Sequence, residues 1–154
     1  MNGENTNWEK SVAGAVILNG KVLLVRHTYG AGKGLLIIPG GYINKGETPE
    51  EAVKREVFEE TGITAAPSAL IGMRFNLKDW YAVFKADYIC GEAGSDGDEN
   101  SEAVWLDIDE ALTREDVPQL TKEILLCVKK DTFFTDIPYP SRENHGTYSF
   151  YGIK

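Results

Sequence analysis

Residues 41–63 read GYINKGETPEEAVKREVFEETGI, and this stretch indicates one sharply delimited helix. Thr48, with a glutamate three residues later, forms a capping-box pattern, and Pro49 stands at a first helical position, where proline is tolerated. Gly62 suits the left-handed residue that often follows the end of a helix. The pattern therefore predicts a helix from about Pro49 to Thr61.

Three glutamates share one face of this predicted helix. Glu56, Glu59 and Glu60 stand at i, i+3 and i+4, within an arc of about 100° at the roughly 100° per residue of an α-helix. Repulsion between like charges at this spacing destabilises a helix by a few tenths of a kcal/mol. A cation bound between the carboxylates would make their arrangement favourable instead. Clustered carboxylate oxygens suit hard ions such as Mg²⁺ or Mn²⁺. The alternative is a solvated acidic face on a surface helix.

The complete string resembles the Nudix box, Gx5Ex7REUxEExGU with U aliphatic. All of its constrained positions match, namely Gly41, Glu47, Arg55, Glu56, Val57, Glu59, Glu60, Gly62 and Ile63. The resemblance covers 23 of 154 residues. It implies a Nudix hydrolase, a Mg²⁺-dependent enzyme, for which Mn²⁺ could substitute, that cleaves a nucleoside diphosphate linked to another group X. It also implies an α+β fold with a mixed β-sheet sandwiched between α-helices, in one domain over residues 1–154.

The resemblance also assigns roles within the box. It implies metal ligands, and hence candidate catalytic carboxylates, at Glu56, Glu59 and Glu60. A carbonyl of the Gly40-Gly41 turn, with Gly41 as the box glycine, is a further candidate ligand.

Three other box positions match residues that serve the architecture in this family: Glu47, Arg55 and Gly62. We expect Arg55 to pair with Glu47 and hold the loop against the helix, because a planar guanidinium matches a carboxylate in two places. The alternative is an exposed pair that contributes little to stability.

In the family that the box resembles, a carboxylate outside the box can help to bind metal or deprotonate water. The segment 91–102, GEAGSDGDENSE, is acidic and rich in glycine, which predicts a solvated loop. Glu102 and Glu99 stand three and six residues before Trp105, and either could reach the site. We favour Glu102 as the further catalytic residue. The base could also come from the box helix or from a metal-activated water.

Three basic residues are candidate contacts to the substrate: Arg26, Lys33 and Arg74. Lys33 lies in the glycine-rich stretch 28–36, TYGAGKGLL, which could cradle phosphate but is equally typical of a flexible connector. Arg26 and Arg74 lie in predicted strands that could reach the site, and His27 follows one of them. Each of the three could equally be a surface residue.

The remaining pattern predicts mainly strands. Asn19-Gly20 between two apolar runs is a strong hairpin signal. The predicted elements are strands at Val12–Leu18, Lys21–Arg26, Ser68–Lys78, Asp79–Cys90 and Ala103–Leu106, a helical turn after the last strand, and a final helix from Pro118 that buries Leu120, Ile124, Leu125 and Val128. Within Asp79–Cys90, alternate residues from Trp80 to Tyr88 form one wholly apolar or aromatic face, which predicts core.

Composition narrows the class of partner. The net charge is −8 and no long basic run occurs, which disfavours a long nucleic acid as partner but not a small anionic substrate, because a bound metal supplies positive charge locally. The polar leader 1–10 and the absence of a long apolar run favour a cytoplasmic protein without membrane contact. Cys90 and Cys127 stand among apolar residues, which predicts buried free thiols.

The aromatic-rich tail, residues 130–154, is predicted to be ordered, because it holds six aromatic residues from Phe133 to Tyr151. It could pack on the body, line the site or join a dimer interface, so monomer and homodimer both stay open. The expected substrate is a small nucleotide, a nucleoside diphosphate sugar such as ADP-ribose. The alternatives are a (d)NTP pyrophosphohydrolase, a non-catalytic Nudix-like ligand sensor and an acidic interaction module.

Overall fold

The computed structural model describes residues 9–139 and 149–153. Its elements are β1 (Glu9–Leu18), β2 (Lys21–His27), β3 (Leu36–Ile37), β4 (Gly40–Tyr42), α1 (Pro49–Thr61), β5 (Thr64–Phe75), β6 (Asp79–Cys90), β7 (Asn100–Asp107), α2 (Ile108–Ala111), α3 (Gln119–Lys130), β8 (Thr135–Asp136) and β9 (Tyr151–Gly152). The helix predicted at Pro49–Thr61 is confirmed at both ends, and the final helix begins one residue after Pro118.

One mixed sheet organises the chain. The strands β3-β2-β1-β6-β5 lie side by side, with β4 paired to β1 and β7 paired to β2. β1 and β6 run parallel, and the other pairs in this sheet are antiparallel. Along one edge of β1, Ile17 and Leu18 pair with β2, whereas the residues from Ser11 to Ala13 pair with β4. This division of one edge brings the Gly40-Gly41 turn beside β1.

Apolar side chains pack on both faces of this sheet. On one face, Val53 and Val57 of α1 pack in a core with Val16 and Phe84. On the other face, α2 and α3 close a second core that includes Leu125. The expected α+β arrangement, a mixed sheet between helices, is confirmed. A Cβ at Gly14 would lie 2.8 Å from Val53 Cγ1, so glycine at this position lets α1 approach the sheet closely.

Local signals in the sequence account for the ends of α1 and for the first hairpin. The Thr48 side chain accepts a hydrogen bond from the Glu51 N–H at 3.1 Å, and Gly62 ends the helix with φ of 77°. Asn19 and Gly20 take φ of 52° and 76°, the left-handed pair that a tight hairpin requires.

Several burial predictions are wrong. Both cysteines, Cys90 and Cys127, are exposed. Trp80 is 48% exposed at the start of β6, and Leu120 is 42% exposed in the first turn of α3. Trp80, Cys90 and Leu120 lie at or next to an end of their elements, and Cys127 follows the exposed Leu126 within α3. Burial cannot be read from periodicity at such positions.

The described parts of the predicted leader and tail contact the body. Glu9 and Lys10, predicted as part of the leader, open β1, while residues 1–8, including Trp8, lie outside the described residues. The Tyr151 ring packs edge-on against Phe84 at 5.6 Å between centroids, and its hydroxyl donates to Glu50 Oε2 at 2.6 Å. This part of the tail packs on the body. Residues 140–148 lie outside the described ranges.

Across the described residues, no helix has both the length and the apolar character that a membrane span requires.

Candidate functional site

A cavity of about 470 Å³ lies where the Gly40-Gly41 turn faces α1. Most of its lining is acidic. The lining residues are the box glutamates Glu56, Glu59 and Glu60, the loop carboxylates Asp96, Asp98 and Glu99, Tyr29 of the loop after β2, and Gly40, Gly41 and Tyr42 of β4. We call this cavity the carboxylate pocket. It unites the three glutamates that the box predicted with a second acidic segment from the loop before β7.

Two glycines let the box carboxylates reach the backbone. The Gly40 N–H donates to Glu60 Oε2 at 3.1 Å. A Cβ at Gly41 would lie 2.5 Å from Glu56 Oε1, and a Cβ at Gly40 would overlap the Val12 carbonyl oxygen. Any side chain at either position would therefore displace a pocket carboxylate or β1.

Glu60 is the most buried of the pocket carboxylates, at 4% exposure. Burial raises its pKa to about 8, the neighbouring Glu56 charge adds to this rise, and the hydrogen bond from Gly40 opposes it. Burial also raises the pKa of Glu56, against the lowering effect of Arg55. Buried like charges of this kind are costly on their own, and a bound cation would relieve the repulsion.

Arg55 links the box loop to the helix. Its guanidinium donates to Glu47 through Nε at 2.7 Å and through Nη2 at 2.9 Å, which confirms the predicted pair. The same group donates to Glu56 Oε1 at 2.8 Å and Glu59 Oε2 at 3.2 Å, and to the Tyr42 carbonyl at 3.0 Å. The hydrogen bonds from Arg55 lower the pKa of Glu47 to about 2. Arg55 therefore fixes the loop, the glycine turn and two pocket carboxylates together.

Glu99, and not Glu102, lies in the carboxylate pocket. Glu102 instead pairs with Arg26, with its Oε2 at 3.4 Å from Arg26 Nε, and it is not among the described residues that line the pocket. The ladder between β2 and β7 shifts register between Arg26 and His27, where Asn100 and Glu102 oppose consecutive residues of β2. The position of the side chains therefore favours Glu99 over the predicted Glu102 as the further pocket carboxylate, which spacing along the chain does not reveal.

A second cavity, of about 460 Å³, joins the carboxylate pocket through four shared residues: Tyr29, Gly40, Gly41 and Tyr42. We call it the aromatic cleft. Its remaining lining combines apolar, aromatic and polar side chains, namely Ser11, His27, Ala31, Ile37, Ile38, Arg74, Asp79, Tyr81, Pro118, Leu120, Thr121 and Ile124. The rings of His27 and Tyr29 stack, with centroids 5.5 Å apart and planes 11° apart. The acidic pocket and the partly aromatic cleft therefore adjoin at Tyr29, Gly40, Gly41 and Tyr42.

The NUDIX domain model matches residues 8–126 of this chain. The chain belongs to the NUDIX family. An ADP-ribose pyrophosphatase of Methanocaldococcus jannaschii is 35% identical over 105 residues, which are 64% of this chain and 61% of that protein. An NAD-capped RNA hydrolase of Actinobacillus succinogenes is 32% identical over 125 residues, 77% of this chain and 46% of that protein. The chain thus spans less than two thirds of the length of either relative.

Solved structures share the fold. A NUDIX hydrolase from Nitrosomonas europaea aligns with a TM-score of 0.74 at 21% identity, over 86% of this chain and 97% of that chain. A MutT NUDIX hydrolase from Burkholderia pseudomallei aligns with a TM-score of 0.70 at 23% identity, over 78% and 97% of the two chains. The likeness establishes the NUDIX fold for this chain.

NUDIX enzymes use divalent metal ions, and the carboxylate pocket has a donor set that fits one. Its acidic side chains offer oxygen alone, the donor that Mg²⁺ and Mn²⁺ prefer. Arg55 occupies Oε1 of Glu56 and Oε2 of Glu59, which leaves the second oxygen of each carboxylate for a ligand. In residues 9–139 and 149–153, no three His, Cys, Asp or Glu side chains already stand in ligand geometry.

The predicted substrate contacts separate into two groups. Arg74 lines the aromatic cleft, where it donates to Asp79 Oδ1 at 2.7 Å and lies 5.1 Å from the centroid of the Tyr81 ring. Arg26 and Lys33 are not among the described residues that line either cavity. Arg26 donates to the Gly34 carbonyl at 2.9 Å and to Asp116 Oδ2 at 3.1 Å, so it ties the glycine-rich loop to the body.

Sequence reasoning missed the tyrosines between the two cavities. Tyr29 is 54% exposed and Tyr42 is 58% exposed, although both are large and partly apolar. A signal was available, because each tyrosine adjoins a glycine in a loop or turn, where no core periodicity explains an aromatic residue. Exposed aromatic side chains at a cavity mouth are suited to ring stacking.

Proposed function

We propose that this chain is a Mg²⁺-dependent pyrophosphohydrolase that cleaves a small nucleoside diphosphate derivative, a nucleoside diphosphate sugar such as ADP-ribose. The observation that carries this proposal is the union of the carboxylate pocket with the aromatic cleft through Tyr29, Gly40, Gly41 and Tyr42. A diphosphate needs metal and therefore carboxylates, whereas a base needs an apolar and aromatic surface. A small nucleotide carries both groups, and the two cavities share part of their lining.

In this proposal the metal ligands are Glu56, Glu59 and Glu60, with the Gly41 carbonyl beside them. When bound there, a divalent ion supplies charge neutralisation to the phosphate oxygens and lowers the pKa of the attacking water. The remaining work belongs to the chain. Gly40 orients the Glu60 carboxylate through its N–H, and Glu99 lies in the same pocket, where it can accept a proton from that water.

The aromatic cleft supports recognition of the nucleoside. The stacked rings of His27 and Tyr29 offer a flat face to a base, and burial lowers the pKa of His27, which favours the neutral imidazole. At the polar end of the cleft, Arg74 and Asp79 neutralise each other. A neutral pair in a cleft that Ile124 also lines suits an uncharged base or sugar better than an additional phosphate.

Three other functions are weaker candidates. A (d)NTP could place its base in the same cleft and its triphosphate at the carboxylates, which makes it the second choice. Capped RNA is disfavoured because the net charge is −8 and the pocket rim is acidic, so a long polyanion would be repelled. A non-catalytic sensor would be expected to have lost box carboxylates, and every one is present here.

The substrate assignment is tested by one activity screen in Mg²⁺ and in Mn²⁺. The substrates are nucleotide sugars, dinucleoside polyphosphates, NADH, coenzyme A, the common (d)NTPs and an NAD-capped RNA oligonucleotide, each compared by kcat/KM. We expect the highest kcat/KM with ADP-ribose or another nucleotide sugar, giving a nucleoside monophosphate and a sugar phosphate. If the enzyme hydrolyses capped RNA with a far higher kcat/KM than every small nucleotide, the proposed substrate class is wrong, but the proposed metal chemistry is unaffected.

A further inference from the structure

We propose that Asn100 is a positioning residue that fixes the acidic segment 95–99 to the end of α1 and so holds Glu99 in the carboxylate pocket, a role that rests on the proposed function. Asn100 opens β7 and is 1% exposed. Neither the box pattern nor the spacing of acidic residues points to it. Its contacts connect two parts of the site that are forty residues apart in sequence.

Asn100 closes the C-terminal end of the box helix. The last carbonyls of an α-helix lack partners within the helix. Here the Phe58 carbonyl accepts from the Gly62 N–H at 2.8 Å, and the Thr61 carbonyl accepts from the Gly94 N–H at 2.9 Å. The Glu60 carbonyl accepts from Asn100 Nδ2 at 2.8 Å. Asn100 is therefore bonded to the backbone of the residue that carries the most buried pocket carboxylate.

The same residue anchors the acidic segment. The Asn100 N–H donates to Asp96 Oδ1 at 3.0 Å, and its carbonyl accepts from Ser95 Oγ at 2.7 Å. From the other side, the Thr28 N–H donates to the Glu99 carbonyl at 3.1 Å. Glu99 is thus held through its own carbonyl by Thr28, the residue after β2, and through its neighbour Asn100 by α1. This arrangement fixes where its carboxylate enters the pocket.

The amide group of Asn100 uses its donor and leaves its acceptor unpaired among the described residues. Its Oδ1 is the buried side-chain atom for which the described residues supply no hydrogen-bond partner. A buried acceptor without a partner lowers stability, so it calls for a functional reason. The amide N–H₂ supplies that reason, because a side chain of the same shape without it could not bind the Glu60 carbonyl.

A double-mutant cycle with Glu99 tests the proposal. The single variants are Asn100→Ala and Asn100→Asp, where the aspartate keeps the shape but replaces the donor with an acceptor. We expect kcat for the best substrate to fall about 10- to 100-fold in each, with KM little changed, as for other residues that orient catalytic groups. Mn²⁺ affinity, measured by calorimetry without substrate, should weaken in parallel, because Glu99 adds its negative charge to the pocket in which the ligands lie. In a Glu99→Gln background, the same changes should cause little further loss, because Asn100 acts through Glu99.

Two further variants separate positioning from loss of stability. Val128→Ala removes buried volume from the opposite core and should lower the melting temperature with kcat unchanged. Thr28→Val deletes a hydroxyl that donates to the Asp98 and Glu99 carbonyls at 2.9 and 3.1 Å, and because Thr28 is exposed the fold should survive. We expect it to lower kcat and Mn²⁺ affinity in the same direction as the Asn100 variants. If those variants fail to fold, unchanged kcat and unchanged Mn²⁺ affinity in Thr28→Val would overturn the role.

The outcomes also distinguish this inference from the function on which it rests. If Glu99→Gln abolishes turnover but the folded Asn100 variants retain it, the positioning role of Asn100 is overturned and the proposed function stands. Losses that add fully in the double variant would do the same. A wild-type protein that turns over none of the nucleotides would refute the proposed function, and the role of Asn100 with it.

Discussion

The Arg55 guanidinium donates a hydrogen bond to each oxygen of the Glu47 carboxylate, from Nε to Oε2 at 2.7 Å and from Nη2 to Oε1 at 2.9 Å. The two-point geometry fixes orientation as well as distance. Because Arg55 also bonds Glu56 and Glu59, the loop before α1 and the candidate ligands on α1 are set by one side chain. Architecture and chemistry are therefore coupled at this position.

Replacement of Arg55 should lower stability and activity together. Arg55→Lys keeps the charge but cannot reproduce the planar fork, and Arg55→Ala removes both. We expect a loss of about 1–3 kcal/mol in the free energy of unfolding, typical of hydrogen bonds to charged groups. A fall in kcat of roughly 10- to 100-fold should accompany it, as for residues that orient ligands. Urea unfolding and steady-state kinetics on the same preparations measure both quantities.

Arg114 offers a matched control for this prediction. It also binds a carboxylate at two points, with Nε to Asp116 Oδ1 at 2.8 Å and Nη2 to Asp116 Oδ2 at 2.9 Å, but neither residue lines the carboxylate pocket among the described residues. Arg114→Lys should leave kcat unchanged. Unchanged melting and unchanged rate in both Arg55 variants would show that the Arg55–Glu47 pair contributes nothing.

The same pair makes a pH-dependent contribution to stability. Its hydrogen bonds lower the pKa of Glu47 from the ordinary 4.5 to about 2 in the folded protein. A lowered folded-state pKa means that the stabilisation is complete above 4.5 and is lost as the pH falls through about 2. We therefore expect the difference in unfolding free energy between wild type and Glu47→Gln to be constant near neutral pH and to shrink on acidification. A difference that stays constant or grows down to pH 3 would contradict the assignment.

Glu99 and Glu102 should differ sharply in their effect on turnover. Glu99 lines the carboxylate pocket, whereas Glu102 pairs with Arg26. At saturating metal, Glu99→Gln should lower kcat by about two orders of magnitude if it accepts the proton of the attacking water. Glu102→Gln should leave kcat within a few-fold of wild type. If Glu102→Gln lowers kcat more than Glu99→Gln does, Glu102 is the catalytic carboxylate, as the sequence analysis favoured.

Local chemistry made the core of this site predictable from sequence. The ends of α1 follow from Thr48 and Gly62, and the three box glutamates share a face because helical geometry is regular. The first hairpin follows from Asn19-Gly20 in the same way. Each of these inferences depends on residues within a few positions of one another, where backbone preference is decisive.

The parts that sequence did not reveal depend on distant pairing. Glu99 lines the carboxylate pocket and Glu102 pairs with Arg26 only once β7 lies beside β2. Asn100 meets the end of α1 only once β7 is placed in the sheet. Trp80 looks like core by alternation, but it lies near the start of β6 and is 48% exposed. Such features need tertiary contacts that no local pattern encodes.

Tyr29 should act on binding more than on the chemical step. Its ring stacks on His27 and lies between the two cavities. Removal of a ring that stacks on a base costs about 1–3 kcal/mol, so Tyr29→Ala should raise KM roughly tenfold with kcat within a few-fold of wild type. Phe75→Ala removes an exposed ring outside both cavities and serves as the control, with no change expected. A Tyr29→Ala variant whose KM is unchanged would contradict base stacking at this position.

In the proposed function, the box carboxylates are required for metal-dependent cleavage of a nucleotide diphosphate bond. The most direct test of this claim is the kcat of Glu60→Gln for ADP-ribose at saturating Mg²⁺. Glutamine keeps nearly the same shape at this buried position but removes the charged ligand. Circular dichroism should show an unchanged fold, and Glu59→Gln should behave in parallel. We expect wild-type turnover to require added Mg²⁺ and kcat to fall by two or more orders of magnitude in Glu60→Gln. Near wild-type kcat in both variants, at the same saturating Mg²⁺, would contradict the claim.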